Sequence, residues 1–179
     1  MRVISGTARG RKLKEPAGYD IRPTSDNVKE SIFNIIQFDI EGRRVLDLFS
    51  GTGQIGIEAL SRGADSVVFV DRSAEASKLV WENLERCGFM EFAKVYTRDV
   101  SKFIANEEKF DLIILDPPYD SQLALLTLNR IIEFDKLNVN GIIICETGVD
   151  WLSPEMPSPY YFAKEFIYGS VKITKFGRR

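Results

Sequence analysis

Histidine is absent from the 179 residues, and cysteine occurs only twice. Without imidazole the chain has no Ser-His or Cys-His nucleophile pair and no side chain whose ordinary pKa lies near neutrality, so its chemistry must run without the usual proton shuttle. Cys87, near the end of a helical pattern, and Cys145, inside Ile142-Ile143-Ile144-Cys145, are too few for a disulfide framework or a zinc cluster and read as buried or reduced thiols. No metal is expected. No apolar run approaches the roughly 18 residues that a membrane span needs. The N-terminus, Met1-Arg2-Val3-Ile4-Ser5-Gly6, lacks the apolar core of a signal peptide, so no membrane partner and a cytoplasmic location are expected.

A large charge imbalance is also missing, since the net charge is -2, but the charges are unevenly placed. Residues 1–30 carry +3, residues 164–179 carry +4, and the stretch between them carries -9. Basic ends around an acidic middle are either solvated termini or a phosphate-contacting surface assembled from both ends. Hydrophobic residues at 44% and charged ones at 28% match a soluble globular chain, and the length suits one domain, 1–179, with residues 1–24 as a basic N-terminal appendage.

The apolar pattern is an alternation. Val3-Ile4 and Lys12-Leu13 suit a short hairpin presenting Arg9, Arg11, Lys12 and Lys14, and Val28, Ile32, Ile35 and Ile36 predict an amphipathic helix over 26–38 capped by Ser25 or Asp26. Strands are predicted at 45–48, 67–70, 94–97, 112–115 and 142–146, with helices over 54–62, 74–87, 101–106 and 121–133 between them. Such alternation implies a parallel sheet covered on both faces. Tyr160 to Ile167 and Ser170 to Phe176, joined at Tyr168-Gly169, read as a closing antiparallel hairpin.

Two constellations carry chemistry. Asp116-Pro117-Pro118-Tyr119 ends the run Leu112-Ile113-Ile114-Leu115, setting a carboxylate, an outward carbonyl and an aromatic plane at a strand mouth. A flat base bearing an exocyclic amine fits that trio: Asp116 and a backbone carbonyl accept the amine hydrogens while Tyr119 stacks on the ring. The plain alternative is a strand stopped by Pro-Pro with Tyr119 as ordinary surface. Upstream, Gly51-Thr52-Gly53-Gln54-Ile55-Gly56 follows a strand and opens a helix, and Asp71 ends the next strand where it can meet ribose hydroxyls. A dinucleotide and S-adenosylmethionine both fit such a turn. Asp47, four residues before Gly51, favours the cationic ligand over a pyrophosphate, and Asp99 stands where it can accept from an adenine amine; strand-end capping is the alternative for both.

Val45-Leu46-Asp47-Leu48-Phe49-Ser50-Gly51-Thr52-Gly53, Asp71, Asp99 and Asp116-Pro117-Pro118-Tyr119 follow the order and spacing of the Rossmann-like class I methyltransferases. More narrowly the chain resembles the RsmD family, bacterial enzymes that methylate N2 of a guanine in 16S ribosomal RNA. That resemblance rests also on Arg2-Val3-Ile4-Ser5-Gly6 with Arg9-Gly10-Arg11-Lys12-Leu13, on Arg22-Pro23-Thr24-Ser25-Asp26, on Ile57-Glu58-Ala59-Leu60-Ser61-Arg62-Gly63-Ala64 and on Tyr168-Gly169. Gln54, where a small residue is usual, and Gly169-Ser170, where Gly-Asp is common, depart from it.

The resemblance implies an α/β fold with a seven-stranded, mostly parallel sheet ending in an antiparallel hairpin, preceded by a small N-terminal β-hairpin and helix. It implies S-adenosylmethionine as methyl donor and 16S rRNA, within the 30S subunit or an assembly intermediate, as partner. Asp47, Phe49, Gly51, Gly53, Asp71, Arg72, Asp99 and Val100 become the expected cofactor-binding residues. Asp116, Pro117, Pro118 and Tyr119 become the catalytic ones. Arg9, Arg11, Lys12 and Arg22 are expected on the phosphates of the substrate RNA. An N6-adenine methyltransferase using the same loop is the nearest rival, though the chain has no spare segment for a target-recognition insertion. An NAD(P)-dependent oxidoreductase and a non-catalytic RNA-binding module are the others.

Overall fold

The computed structural model describes residues 1–16, 26–118 and 121–179. Its elements follow the alternation of the sequence: α1 (Asp26–Ile35), β1 (Arg44–Leu48), α2 (Gln54–Ser61), β2 (Ser66–Asp71), α3 (Ala74–Cys87), β3 (Ala93–Thr97), α4 (Val100–Ile104), β4 (Phe110–Leu115), α5 (Ser121–Glu133), β5 (Leu137–Gly148), β6 (Tyr160–Tyr168) and β7 (Val171–Arg178). They build a seven-stranded sheet in the order β3-β2-β1-β4-β5-β7-β6. The first five strands pair in parallel, and β7 pairs antiparallel with both β5 and β6. The strand order reverses between β1 and β4, which is where an open parallel sheet leaves a crevice at its carboxyl end.

Several boundaries differ from the sequence reading. The first helix stops at Ile35 rather than 38, and β5 runs from Leu137 rather than 142 because Leu137 pairs with Phe110 ahead of an irregularity in the β4 ladder. The N-terminal hairpin reduces to one antiparallel bridge, Arg2 to Lys12, with Val3 N–H donating to the Arg11 carbonyl at 3.0 Å. Asp26 is the first helical residue of α1, and Ser25 lies outside the described residues.

The sheet divides the core in two. On one face Val45, Phe69, Leu112, Ile114, Ile144 and Ile173 pack with α1, α2, α3 and the N-terminal segment. On the other, Leu46, Val70, Ile113, Leu115, Ile143 and Phe176 pack with α4 and α5. Side chains alternate along a strand, so this division states which face each later residue in the strand addresses.

Helix α2 is buried on every side, between the sheet and residues 1–8, so its polar Glu58 and Ser61 take their partners from residues 4–8 rather than from water. Its approach to the sheet requires Gly56, where a Cβ would stand 2.3 Å from Phe69 Cε1 and 2.9 Å from Val67 Cγ1. Glu58, wholly buried on the other side, accepts the Ile4 and Ser5 amides at 2.7 and 2.9 Å and the Arg62 guanidinium at 2.8 Å. Helix α3 has ordinary ends: the Ser73 side chain accepts from the Ala76 amide at 3.2 Å, and Gly88 closes it in the left-handed region. Both cysteines are free thiols in the core. Among the described residues no helix is long and apolar enough to cross a membrane.

Candidate active site

Four carboxyl groups gather at the carboxyl end of the parallel strands, on the face that carries α2 and α3. Asp47 is level with Phe69 on β2 and Ile114 on β4. Two residues further along their own strands, and so on the same face, come Asp71, Asp116 and Glu146. Across the sheet the order is Asp71, Asp47, Asp116, Glu146, following β2, β1, β4 and β5. Asp47 is 2% exposed and Glu146 8%, whereas Asp71 and Asp116 are half-buried.

This crowding is costly to ionise. Burial pushes the Asp47 carboxyl up to about 8, and the charges of Asp116 and Asp71 add to the rise, against a hydrogen bond from the Gly56 amide that favours the ionised form. Glu146 is pushed up to about 8 by burial and by Asp116. A cation brought to this row would relieve both.

The turn after β1 is built from left-handed residues: Phe49 has φ of 62°, Gly51 of 52° and Gly53 of 76°. A bulky residue rarely takes that conformation, and strain of this sort is held where a site needs the backbone shaped. A Cβ at Gly51 would meet only the Phe49 carbonyl at 4.0 Å, so that side of the turn is open, while at Gly53 it would meet Val80 at 3.1 Å. Gly51 therefore leaves room for a ligand and Gly53 lets the turn pack on α3. The Ser50 hydroxyl, beside them, is buried without a hydrogen-bond partner among the described residues.

The turn's amides decide which ligand fits. The Gly51 N–H donates to Asp71 Oδ2 at 2.9 Å, and the Gly56 N–H, in the first turn of α2, donates to Asp47 Oδ2 at 3.0 Å. A pyrophosphate would need such N–H groups and would meet two carboxylates. An uncharged ribose with a cationic neighbour fits the same turn, because Asp71 keeps acceptor capacity after binding the Gly51 and Ser73 amides at 2.9 Å each. The residues present thus fit S-adenosylmethionine and do not fit a dinucleotide.

Asp99 comes beside this group through β3, whose end is held when the Arg98 amide donates to the Asp71 carbonyl at 2.8 Å. Its Oδ1 caps α4, accepting from the Ser101 amide at 3.0 Å and the Ser101 hydroxyl at 2.5 Å. The Ser101 hydroxyl, more than the neighbouring amides or Lys102, holds this carboxyl below its usual range. Asp99 is thus the N-cap of α4, while Asp47 accepts from an amide inside the first turn of α2, whose N-cap is Gly53. Arg72 is exposed, Val100 is buried at the start of α4, and Phe49 is half-buried against the second core. Pro117 is buried and Pro118 exposed, while Tyr119 and Arg22 lie outside the described residues.

The predicted RNA contacts are spread out. Arg9, Arg11 and Lys12 are all exposed. Arg9 follows the turn that sits on the last residue of α2, where the Thr7 amide donates to the Ser61 carbonyl at 2.8 Å. Arg11 already donates to the Arg86 carbonyl at 2.6 Å. Lys14, by contrast, is tied to the glycine turn: Asn83, wholly buried, accepts from the Lys14 amide at 2.6 Å and donates to the Lys14 and Thr52 carbonyls at 3.1 and 3.0 Å.

Sequence reasoning missed Glu146. It appeared only as the end of a predicted strand, although its signal was present: Ile144 to Glu146 repeats, one strand over, the spacing of Ile114 to Asp116. Ser50, inside the glycine turn, was missed too.

Residues 1–177 match the family described as Conserved hypothetical protein 95. YlbH of Bacillus subtilis (strain 168) is 40% identical over 183 residues, with 100% of both chains covered. The Ribosomal RNA small subunit methyltransferase D of Escherichia coli (strain K12) is 30% identical over 179 residues, spanning 99% of this chain and 90% of that relative. Among solved structures, yhhF from Escherichia coli superposes with a TM-score of 0.91 at 28% identity, covering 100% of this chain and 98% of that one. The fold, the glycine turn and the match over nearly the full length agree, and the chain belongs to the Conserved hypothetical protein 95 family, the RsmD family of ribosomal RNA methyltransferases.

Proposed function

We propose that this chain methylates the exocyclic N2 amine of a guanine in 16S ribosomal RNA, using S-adenosylmethionine, in the cytoplasm and on the small subunit or an assembly intermediate of it. The observation that carries the reading is the carboxyl row: Asp71 and Asp47 occupy the turn's amides and disfavour phosphate there, while Asp116 faces the same crevice from the neighbouring strand. The relatives named for ribosomal RNA methylation support RNA as the acceptor.

When bound, S-adenosylmethionine supplies a methyl group already activated on a positive sulfur. Asp47 would hold the methionyl ammonium, Asp71 the ribose hydroxyls and Asp99 the adenine amine, with Phe49, Gly51, Gly53, Arg72 and Val100 shaping the walls. On the acceptor side Asp116 would accept a hydrogen bond from one N2 hydrogen and the Pro117 carbonyl from the other, Pro118 stiffening the loop; as N2 gains the methyl that leaves sulfur, the one surplus N2 proton would pass to Asp116 and on to solvent. A guanine amine is a poor nucleophile because its lone pair is delocalised into the ring, so orientation carries the rate, an effect worth about 7–11 kcal/mol in favourable cases. Asp116 also stabilises the positive charge that develops on nitrogen, and it needs no strong basicity to do so. Tyr119 stacks on the base, a contact worth about 1–3 kcal/mol, which helps offset its extrusion. Arg9, Arg11, Lys12 and Arg22 hold flanking phosphates without reading sequence.

The test is incubation with labelled S-adenosylmethionine and undermethylated 30S particles, followed by nucleoside analysis. N2-methylguanosine is the expected product. N6-methyladenosine alone, or no transfer to either naked 16S rRNA or particles, would overturn the reading.

A further inference from the structure

One buried acid in the row has no task in the chemistry above. Glu146 is 8% exposed, and its Oε2 has no hydrogen-bond partner among the described residues. Leaving such an oxygen unsatisfied is unfavourable, and native folds keep few of them without a reason.

Its position indicates the reason. Leu115 pairs with Cys145 in the parallel ladder, so the next residues, Asp116 and Glu146, stand level on adjacent strands about 4.8 Å apart. Both address the face of Ile114 and Ile144. Strand β5 lies on the side of β4 away from β1, so Glu146 is separated from Asp47 by Asp116 and belongs to the acceptor half of the crevice.

We propose that Glu146 is a specificity-determining residue that accepts the ring N1–H of the guanine whose N2 amine faces Asp116. This rests on the guanine reading above and adds to it the means by which the base is chosen. On a guanine's Watson–Crick edge the N1–H stands next to the N2 amine, two donors side by side, and the protein sets two carboxyl groups side by side to receive them. Adenine presents a bare N1 beside its amine, so acceptor would oppose acceptor. Accepting the N1–H favours the ionised carboxyl, which offers acceptors alone and so leaves a bare adenine N1 without a donor. While the crevice is empty, burial and Asp116 favour the protonated form instead, which suits a group that must wait there without a counter-ion.

The full chain and its Glu146→Ala and Glu146→Gln variants are assayed on undermethylated 30S particles for N2-methylguanosine, alongside S-adenosylmethionine affinity and thermal midpoint. Glu146→Ala is expected to lower kcat/KM by about 100-fold or more, the penalty of losing a hydrogen bond on which the site is built. Glu146→Gln, whose amide oxygen also accepts N1–H, is expected to recover to within about tenfold of the parent. S-adenosylmethionine affinity should stay within about twofold, and the midpoint should hold or rise, because an unpaired buried acid has been removed. Parent-like kcat/KM in Glu146→Ala overturns the proposal, as does a loss that comes with weakened cofactor binding or a lowered midpoint. A parent that makes no N2-methylguanosine overturns the guanine reading itself, a failure visible before any variant is compared.

Discussion

Asp47 reaches across from β1 to the Gly56 amide in the first turn of α2, with 3.0 Å between its Oδ2 and the nitrogen. That bond exists because Gly56 lets α2 lie directly on Phe69 and Val67. It fixes a buried carboxyl near the carboxyl end of β1, where ionisation is costly unless a cation stands close by. The packing of one helix is thereby joined to the electrostatics of the site.

The first prediction follows from that cost. Asp47 has a native pKa raised to about 8 from 3.8, chiefly by burial, so the folded state holds its proton where the unfolded chain has lost it. Its contribution to stability is therefore full below pH 4 and is lost as pH rises toward 8. Asp47→Asn keeps an oxygen for the Gly56 amide and cannot ionise. Its thermal midpoint should match the parent only below about pH 4 and exceed it by a growing margin as pH rises to 8. Its affinity for S-adenosylmethionine should fall at least about tenfold, the scale of one charge-assisted hydrogen bond. Equal midpoints across that range would remove the claim that Asp47 is strained by its burial.

Much of this was legible in the sequence, and the reasons differ from residue to residue. The parallel strands were readable because each is a short apolar run with a turn at its carboxyl end, and α3 because Ser73, Gly88 and the apolar spacing between them all agree. The early part of β5 was not, since Asn138, Val139 and Asn140 carry no apolar alternation and lie between the Leu137 and Ile142 pairings, where the ladder with β4 is irregular. Asp47, Asp71 and Asp116 stood out beside Gly and Pro. Glu146 ends an apolar run with no such marker, and only the register of β4 against β5 shows it level with Asp116. Nor could sequence separate Arg9, at the far end of α2, from Lys14, held to the glycine turn through Asn83.

Gly56→Ala tests the helix packing. Its Cβ would sit 2.3 Å from Phe69 Cε1 and 2.7 Å from Phe69 Cζ, so α2 or the ring must move. A loss of about 1–3 kcal/mol is expected, as for other overpacked cores, measured by denaturant unfolding. Because the shift also draws the Gly56 amide from Asp47, S-adenosylmethionine affinity should fall with stability; an unchanged affinity would uncouple the two.

Asp116→Ala separates acceptor from donor chemistry. Single-turnover methyl transfer should fall by about 10²–10³-fold or more, the scale seen when a group aimed at developing charge is removed. At pH above about 8, where Asp47 is ionised in both proteins, S-adenosylmethionine should bind as before. Since the Asp116 charge helps to raise Asp47, its loss should also move the pH dependence of cofactor binding toward lower pH. Near-normal turnover in this variant would sink the assignment of Asp116.

The basic segment is tested by salt. Replacing Arg9, Arg11 and Lys12 by Ala removes three exposed cations from residues packed along α2, leaving the buried Asn83 links to Lys14 and Thr52 intact. If these cations neutralise RNA phosphates, each phosphate left without its cation should reduce the slope of log affinity against log salt by about 0.7–0.9, so the triple variant should bind 30S particles more weakly at low salt and converge on the parent as salt rises. Arg11 is partly committed to the Arg86 carbonyl, so its single replacement should change the slope less than that of Lys12. Affinity and slope equal to the parent across the series would place the RNA on another surface, with the exposed Lys164 of β6 and Arg179 at the C-terminus next to be replaced.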